Sequence, residues 1–178
     1  ACTGIISKVN QVFMAICIGI SQGSQPILGF NYGAEKYSRV RQTYRYSVTL
    51  CTVIATIFFI CFQFFPHQIV GIFGNGSDLY FHFAEKYLRI FMLMTFANGI
   101  QPMSACFFTS IGKARLGVIM SLTRQVLFLL PLIVIFPVFF GIDGVMYAGP
   151  IADTSAFVLA VVFARRELGV MKAAEQNA

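Results

Sequence analysis

The stretch GISQGSQPILGFNYGAEKYSRVRQT, from Gly19 to Thr43, decides the fold of this chain. Its first half is uncharged and predicts a helix that carries Gln22, Gln25 and Pro26. Its second half turns and becomes strongly basic, with Lys36 the first of several cations. Hydrocarbon tolerates polar side chains and proline in a helix only where other protein or a water-filled cavity satisfies them. We therefore expect this helix to line a pathway through a membrane.

The composition of the whole chain is typical of a membrane protein. Of its 178 residues, 57% are hydrophobic and 11% are charged, whereas a soluble domain carries about 25% charged residues. The net charge of +6 does not indicate nucleic-acid binding. The cations lie between long apolar runs and form no basic face interleaved with aromatic residues.

Windows without charge predict about five transmembrane helices, because a bilayer core of about 30 Å needs about 20 apolar residues in a helix. The predicted fold class is therefore all-α, a polytopic membrane helix bundle. The bundle is expected to occupy residues 1–165 and a cytoplasmic tail residues 166–178. The predicted spans lie near residues 5–32, 44–65, 86–111, 117–140 and 145–164.

The basic residues predict the orientation of the bundle. If the helices alternate, one side holds the loops after the first and third spans and the tail, with nine of the thirteen basic residues. The positive-inside rule makes that side cytoplasmic. The chain is thus expected to begin outside a plasma or inner membrane and to end inside. An outside start without an initiator Met favours the C-terminal portion of a longer protein, and the alternative is a complete five-span protein.

The first and third predicted spans share a motif. Gly23-Ser24-Gln25-Pro26 matches Gly99-Ile100-Gln101-Pro102, and each helix runs inward toward a glycine and basic residues. Proline lacks an N–H and frees the carbonyl four residues earlier, so Pro26 and Pro102 are predicted to kink their helices. Repeats in transporters flank the substrate path. The match therefore predicts a repeated helical hairpin beside a binding site.

Amide side chains near these prolines are the candidates for binding a substrate or an ion. Each kink is expected to place a loose carbonyl beside two amides, which together hydrogen-bond a polar group or offer oxygens to a cation. The alternative is that the amides only join helices, at roughly 0.6 kcal/mol per interhelical bond. The candidates are Gln22, Gln25, Asn98 and Gln101.

Asp153 is a carboxylate near the middle of the last predicted span. On insertion scales an acid costs roughly 2.5–3.5 kcal/mol there, so it has a partner or a function. Gly149, Asp153, Ala156 and Ala160 share one narrow helix face, which is expected to pack inward. This placement suits a proton or cation carrier. The alternative is an Asp at the outer interface, if the helix begins at Gly149-Pro150.

Other chemistries find no support in the sequence. Arg124, in the fourth span, is expected to snorkel toward the cytoplasmic headgroups, with pairing to an acid as a minor alternative. The five cysteines show no CxxC spacing, and the two histidines have no Cys or carboxylate at ligand spacing. No nucleophile triad, phosphate loop or paired carboxylate is present. The sequence therefore predicts no enzyme, no metal site and no cofactor.

Several of these residues together carry a family resemblance. The Gln-Pro pair, Gly29-Phe30-Asn31-Tyr32-Gly33-Ala34 and Arg39-Val40 closely resemble the multidrug and toxic compound extrusion (MATE) family, with the greatest likeness to its bacterial multidrug branch. Ser121–Gln125, Gly141–Val145 and Pro150–Asp153 are similar to further pieces of the same pattern, in the expected order. The matching positions of the cytoplasmic loop motif are Asn31, Tyr32, Gly33 and Arg39.

The resemblance implies a twelve-helix carrier of two six-helix lobes, of which this chain would be helices eight to twelve. It implies secondary active export of cationic amphipathic drugs or dyes, in exchange for sodium ions or protons, by alternating access between the lobes. The implied partners are these compounds, the lipid bilayer and an N-terminal lobe, without which the chain is expected to be inactive. Some branches place an acid in the third span, and this sequence has none there, so the coupling ion stays open.

Two rival functions remain open at this point. A flippase of the same superfamily, which carries lipid-linked precursors, would want basic residues in its cavity, and only Arg124 qualifies. A non-transporting membrane scaffold subunit would need neither Asp153 nor the two Gln-Pro kinks.

Overall fold

The computed structural model describes residues 2–73, 78–140 and 142–176, and every regular element in these ranges is helical. The first half of the chain forms a long hairpin followed by two shorter helices. These four helices are α1 (Cys2–Gly33), α2 (Tyr37–Phe64), α3 (Pro66–Phe73) and α4 (Asp78–Phe91).

The second half of the chain adds two short helices, an interrupted helix and a long final helix. The short helices are α5 (Thr95–Asn98) and α6 (Ile100–Ser110). A π-helix segment (Thr123–Leu129) joins α7 (Ala114–Leu122) to α8 (Leu130–Phe140). The final helix is α9 (Ile142–Gln176). Gly141, which opens one of the family-like motifs, lies outside the described residues.

Four helices among the described residues are long and apolar enough to cross a membrane, which agrees with the predicted all-α membrane bundle. They are Ser7–Gly33, Tyr37–Phe64, Ala114–Pro137 and Tyr147–Gln176. The second of them starts before residue 44, where its span was predicted to start, because helical hydrogen bonding continues through the basic residues that bound the apolar window. The final helix, α9, which holds the fifth predicted span, likewise continues beyond residue 164. The bilayer limits of the spans stay predictions.

The region expected to form the third span, residues 86–111, is divided between α4, α5 and α6. Between α4 and α5 the backbone tightens, since Leu93 N–H donates to the Ile90 carbonyl at 3.2 Å and Thr95 N–H to the Met92 carbonyl at 3.2 Å. Gly99 separates α5 from α6, and a Cβ at Gly99 would lie 3.1 Å from the Cys51 carbonyl oxygen of α2. The break therefore occurs where the chain presses against α2.

The hairpins α1–α2 and α6–α7 turn in the same way. Lys36 N–H donates to the Asn31 carbonyl and Glu35 N–H to the Tyr32 carbonyl, at 2.9 and 3.0 Å. In the second hairpin, Lys113 N–H donates to Phe108 and Gly112 N–H to Thr109, at 2.9 and 3.2 Å. Each pair of bonds is a Schellman motif, which caps the last carbonyls of a helix. The structure thus supports the repeat predicted from the Gln-Pro pairs.

The two hairpins differ by one residue in the distance from the Gln-Pro pair to the helix cap. The left-handed cap position is Glu35 (φ 56°) in the first hairpin and Gly112 (φ 79°) in the second. Gly112 therefore corresponds to Glu35 rather than to Gly33. One extra residue between the Gln-Pro pair and the cap turns the second helix by about 100° relative to the first.

The cap position predicts a gain of stability on replacing Glu35 with glycine. A left-handed backbone costs an L-residue roughly 1–2 kcal/mol, and glycine avoids this cost. Part of the gain is offset because glycine loses more conformational entropy on folding than other residues do. We expect Glu35→Gly to raise the free energy of unfolding by up to about 1 kcal/mol, measured by SDS titration of the detergent-solubilised full-length protein. Gly112→Ala is the reciprocal control and should lower it. Equal stabilities for the two variants would contradict this account.

The main core lies where α1, α2, α6 and α9 meet. Leu28, Met103 and Phe107 are fully buried there. Two hydroxyl contacts join the helices inside it: Ser24 Oγ bonds Ser47 Oγ at 2.7 Å, and Tyr44 Oη bonds Ser104 Oγ at 2.8 Å. Small hydroxyls allow close approach while satisfying one another, which is how membrane helices associate.

The C-terminal part of α9 is tied to both hairpin ends by ion pairs. Lys113 Nζ lies 2.5 Å from Glu167 Oε1, and Arg41 pairs with Glu175. The helix therefore extends past the apolar bundle and contacts the basic loops. The tail predicted from residue 166 is helical as far as Gln176.

Candidate functional site

A cavity of about 370 Å³ with both apolar and polar side chains in its wall lies between α1, α6 and the junction of α7 with the π-helix segment. Three of the predicted amides, Gln22, Gln25 and Gln101, line it together. Met14 and Ile18 supply apolar surface on the α1 side. The other polar side chains in its wall are Ser21, Thr109, Ser121, Arg124 and Gln125.

Gln25 of the first Gln-Pro pair and both residues of the second meet at this cavity because α1 packs directly against α6. Cys106 Sγ donates to the Ser21 carbonyl at 3.0 Å and ties the two helices together at the cavity wall. Gln101 is buried and donates from Nε2 to the Met120 carbonyl at 3.3 Å, whereas Gln22 is exposed. Gln22 therefore has its amide available to a ligand, while Gln101 also joins α6 to α7.

The two prolines lie in different helical contexts. Pro26 is inside the continuous helix α1. Pro102 lines the cavity and is the third residue of α6, in the first turn, where N–H groups have no intrahelical acceptor. The kink predicted at Pro102 is therefore a break between two helices, at Gly99, rather than a bend within one.

Asp153 is buried and carries two hydrogen bonds from other helices. Asn98 Nδ2 donates to Asp153 Oδ2 at 2.7 Å, and Arg124 Nε donates to Asp153 Oδ1 at 2.7 Å. The side chains of Arg124 and Asp153 are 16% and 5% exposed. The cluster Asn98–Asp153–Arg124 therefore satisfies the carboxylate with one cation and one amide, as a buried charge requires.

Arg124 connects this cluster to the cavity, and it corrects the sequence-based expectation. It was expected to snorkel to the headgroups, but it pairs with Asp153 and lines the cavity wall. The physical reason is that a desolvated carboxylate nearby offers the guanidinium a stronger partner than the interface. The signal in the sequence was a single arginine within an otherwise apolar run.

The π-helix segment sets the direction of Arg124. Leu130 N–H donates to the Gln125 carbonyl, five residues back, which inserts one extra residue into the turn. Thr123 Oγ1 donates to the Ile119 carbonyl at 2.6 Å just before it. Such bulges occur frequently at functional sites because they redirect a side chain without ending the helix.

The small face of α9 lets the cluster close. Gly149, Asp153, Ala156 and Ala160 are all buried, as predicted. The helix passes through Pro150 without interruption, so Asp153 does not lie at a helix start. With Ala and Gly around it, the carboxylate comes within reach of α5 and the π-helix segment.

The loop-motif residues lie away from the cavity, at the first hairpin. Asn31 is buried and donates from Nδ2 to the Ile27 carbonyl at 2.8 Å. Tyr32 packs edge-on against Tyr37, with ring centroids 5.8 Å apart. Gly33 and Arg39 are exposed. These four positions therefore shape the α1–α2 turn and make no contribution to the cavity wall.

A family model, related sequences and solved structures all match this chain. The model of the family described as MatE matches residues 1–143. The Multidrug export protein MepA of Staphylococcus saprophyticus is 26% identical over 173 residues, which are 96% of this chain and 38% of that protein. A protein named FAD transporter, from Shewanella oneidensis, is 21% identical and is matched over 97% of this chain and 38% of its own length.

Solved structures show the same fold. The outward-facing conformation of a multidrug resistance MATE family transporter superposes with a TM-score of 0.88 at 16% identity, over 97% of this chain and 39% of that one. A MATE structure in the bent conformation gives a TM-score of 0.89 over 98% of this chain and 38% of that one. The chain therefore spans less than two fifths of the length of the relatives that it matches.

Proposed function

This chain belongs to the MatE (multidrug and toxic compound extrusion) family, and from that premise we propose that it acts in secondary active multidrug efflux. The transporter exports amphipathic compounds, cationic ones among them, in exchange for sodium ions or protons, by alternating access. The chain supplies most of one lobe, and its activity requires the other lobe. The curated relative named for multidrug export, of which it spans 38%, supports this assignment.

The observation that carries the proposal is the amide-lined cavity that adjoins a buried charged cluster. Gln22 and Gln25 offer donors and acceptors that adapt to different polar groups, while Met14 and Ile18 offer apolar surface. A mostly apolar pocket with a few placed polar groups is the common form of a small-molecule site. The unbranched, polarizable side chain of Met14 adapts to ligands of different shape.

The cluster Asn98–Asp153–Arg124 is the proposed place of ion coupling. A sodium ion or a proton that binds the Asp153 carboxylate competes with Arg124 for the same oxygens. Release of Arg124 changes the cavity wall, because Arg124 is part of that wall. Ion binding and substrate binding are then linked through one side chain, which is the kind of coupling that an exchanger needs.

The test is ion-driven dye efflux from proteoliposomes that contain the full-length protein. Removing the Gln22 or Gln101 amide with Gln→Ala takes away about one hydrogen bond, worth roughly 0.5–1.5 kcal/mol, so we expect the apparent affinity for dye to fall by about two- to twelvefold. Gln42→Ala is the control, because Gln42 donates to Tyr46 Oη on the exposed surface of α2. Efflux kinetics that respond equally to all three substitutions would count against this cavity.

One observation favours the flippase as a second candidate function, since Arg124 does line the cavity. A lipid-linked pyrophosphate would be drawn to it. A pyrophosphate carries more than one negative charge, however, and Arg124 is the one cation among the described residues of the cavity wall. Transport of a lipid-linked sugar by the full-length protein, with no efflux of amphipathic dyes, would establish this alternative.

A further inference from the structure

Among the described residues, the only charged side chain in the cavity wall is Arg124. No carboxylate lines the cavity, and the nearest one, Asp153, is already bonded by Asn98 and Arg124. A site made for the cationic end of a drug would present an unpaired acid to it. This wall contains Arg124 and several amides, which is the arrangement for an anionic group.

The guanidinium has donors left for a ligand. Within the described part of the chain, its hydrogen bond to Asp153 uses Nε alone. The two Nη groups therefore keep their N–H donors, and they form a planar fork that matches the two oxygens of a carboxylate. Asp153 and the π-helix segment hold this fork at the cavity wall, so Asp153 acts here as a positioning residue.

The surrounding side chains fit an amphipathic ligand with an acidic end. Gln22 and Gln125 are exposed and line the same cavity, so their amide N–H groups are available to a ligand in it. Met14 and Ile18 offer apolar contacts for the body of the molecule. No Asp or Glu is among the described residues of the wall, so an arriving carboxylate meets N–H donors there without a facing acid.

We propose that this cavity binds the carboxylate of zwitterionic or acidic amphipathic substrates through Arg124. The inference rests on the proposed efflux function and narrows the substrate class of the same site. The cationic end of a zwitterion is then recognised by residues outside this cavity. Compounds that carry a carboxylate bind more tightly than their esters, although both are amphipathic.

The test uses a rhodamine dye with a free carboxylate and the methyl ester of the same dye. Their binding to the full-length protein, purified in a neutral detergent without anionic lipid, is followed by fluorescence anisotropy. The two dyes share one cationic ring system, so a difference between them reports the carboxylate alone. Hydrogen bonds to a charged group predict that the acid binds about tenfold more tightly, or better, than the ester.

The variant that decides the proposal is the double change Arg124→Gln with Asp153→Asn. It removes both charges of the pair and avoids an unpaired buried carboxylate. We expect the acid to lose its advantage while the ester keeps its affinity. Arg124→Lys, which keeps the charge but not the fork, should lose most of the preference as well. Arg115→Gln, on the exposed start of α7, is the control and should change neither affinity.

Three results would overturn the inference. If acid and ester bind the wild-type protein equally, the carboxylate is not recognised, although the efflux function stands. If phosphatidylglycerol displaces the acid and benzoate does not, the site belongs to a lipid phosphate. If neither dye binds the folded protein, the efflux function itself fails, and the inference fails with it.

Discussion

Asp153→Asn is expected to lower the free energy of unfolding by about 3–5 kcal/mol, because it leaves Arg124 buried without its counter-charge. The side chain of Arg124 is only 16% exposed, and within the described residues its hydrogen bond goes to Asp153. The measurement is SDS titration of the full-length protein in mixed micelles. Ion-driven dye efflux should be lost in the same variant, since the proposed coupling site is gone.

A double-mutant cycle separates the pair from the side chains that form it. Adding Arg124→Gln to Asp153→Asn removes the stranded cation, and replacing a whole buried pair is often close to neutral. We therefore expect the double variant to recover most of the stability but none of the ion coupling. Glu175→Gln is the control on the same helix. Its side chain is 39% exposed and that of its partner Arg41 26%, and pairs so close to the surface are worth about 0.2–1 kcal/mol.

Two results would contradict this picture in different ways. An Asp153→Asn protein that is as stable as Glu175→Gln would show that the buried pair contributes nothing to the fold. A variant that is destabilised but still couples efflux to an ion gradient would show that Asp153 is structural and that the coupling ion binds elsewhere.

The sequence was sufficient to predict the helices and one inward face. Long charge-free windows mark apolar helices regardless of their surroundings, and the spacing of Gly149, Asp153, Ala156 and Ala160 marks a small face. The shared motif also predicted that Gln25 and Gln101 belong together, and both line the cavity. These are local or periodic properties, which a single chain displays directly.

The sequence was not sufficient to predict the breaks and the ion pair. The division of the third span depends on the close approach of Gly99 to α2. A Cβ at Gly99 would lie 3.1 Å from the Cys51 carbonyl oxygen of that helix. The direction of Arg124 depends on one extra residue in a π-helix turn, and the apolar pattern around it is equally compatible with an α-helix. Both are set by contacts between distant segments.

Gly144→Ala should be the most damaging of the glycine-to-alanine changes considered, because it forces a methyl group into the backbone of α8. A Cβ at Gly144 would lie 2.4 Å from the Phe136 carbonyl oxygen and 3.0 Å from the Pro137 nitrogen. No side-chain rotation relieves a contact with backbone atoms, so α8 and α9 must separate. Overpacking of this kind costs about 1–3 kcal/mol, and more where the backbone cannot shift.

Two other glycines calibrate this effect. At Gly117 a Cβ would lie 2.6 Å from Thr109 Oγ1, which can rotate away, and 2.8 Å from the Ala105 carbonyl oxygen, which cannot. That one backbone contact is longer than the 2.4 Å contact at Gly144, so Gly117→Ala should destabilise the protein less. At Gly169, on the exposed part of α9, nothing lies within 4 Å, and alanine should stabilise the helix by up to about 1 kcal/mol. The expected order of unfolding midpoints in SDS is therefore Gly169→Ala highest, Gly117→Ala intermediate and Gly144→Ala lowest.

A Gly144→Ala protein as stable as Gly169→Ala would mean that α8 and α9 do not approach closely at this point. The hairpin that presents Asp153 to Arg124 would then need another explanation.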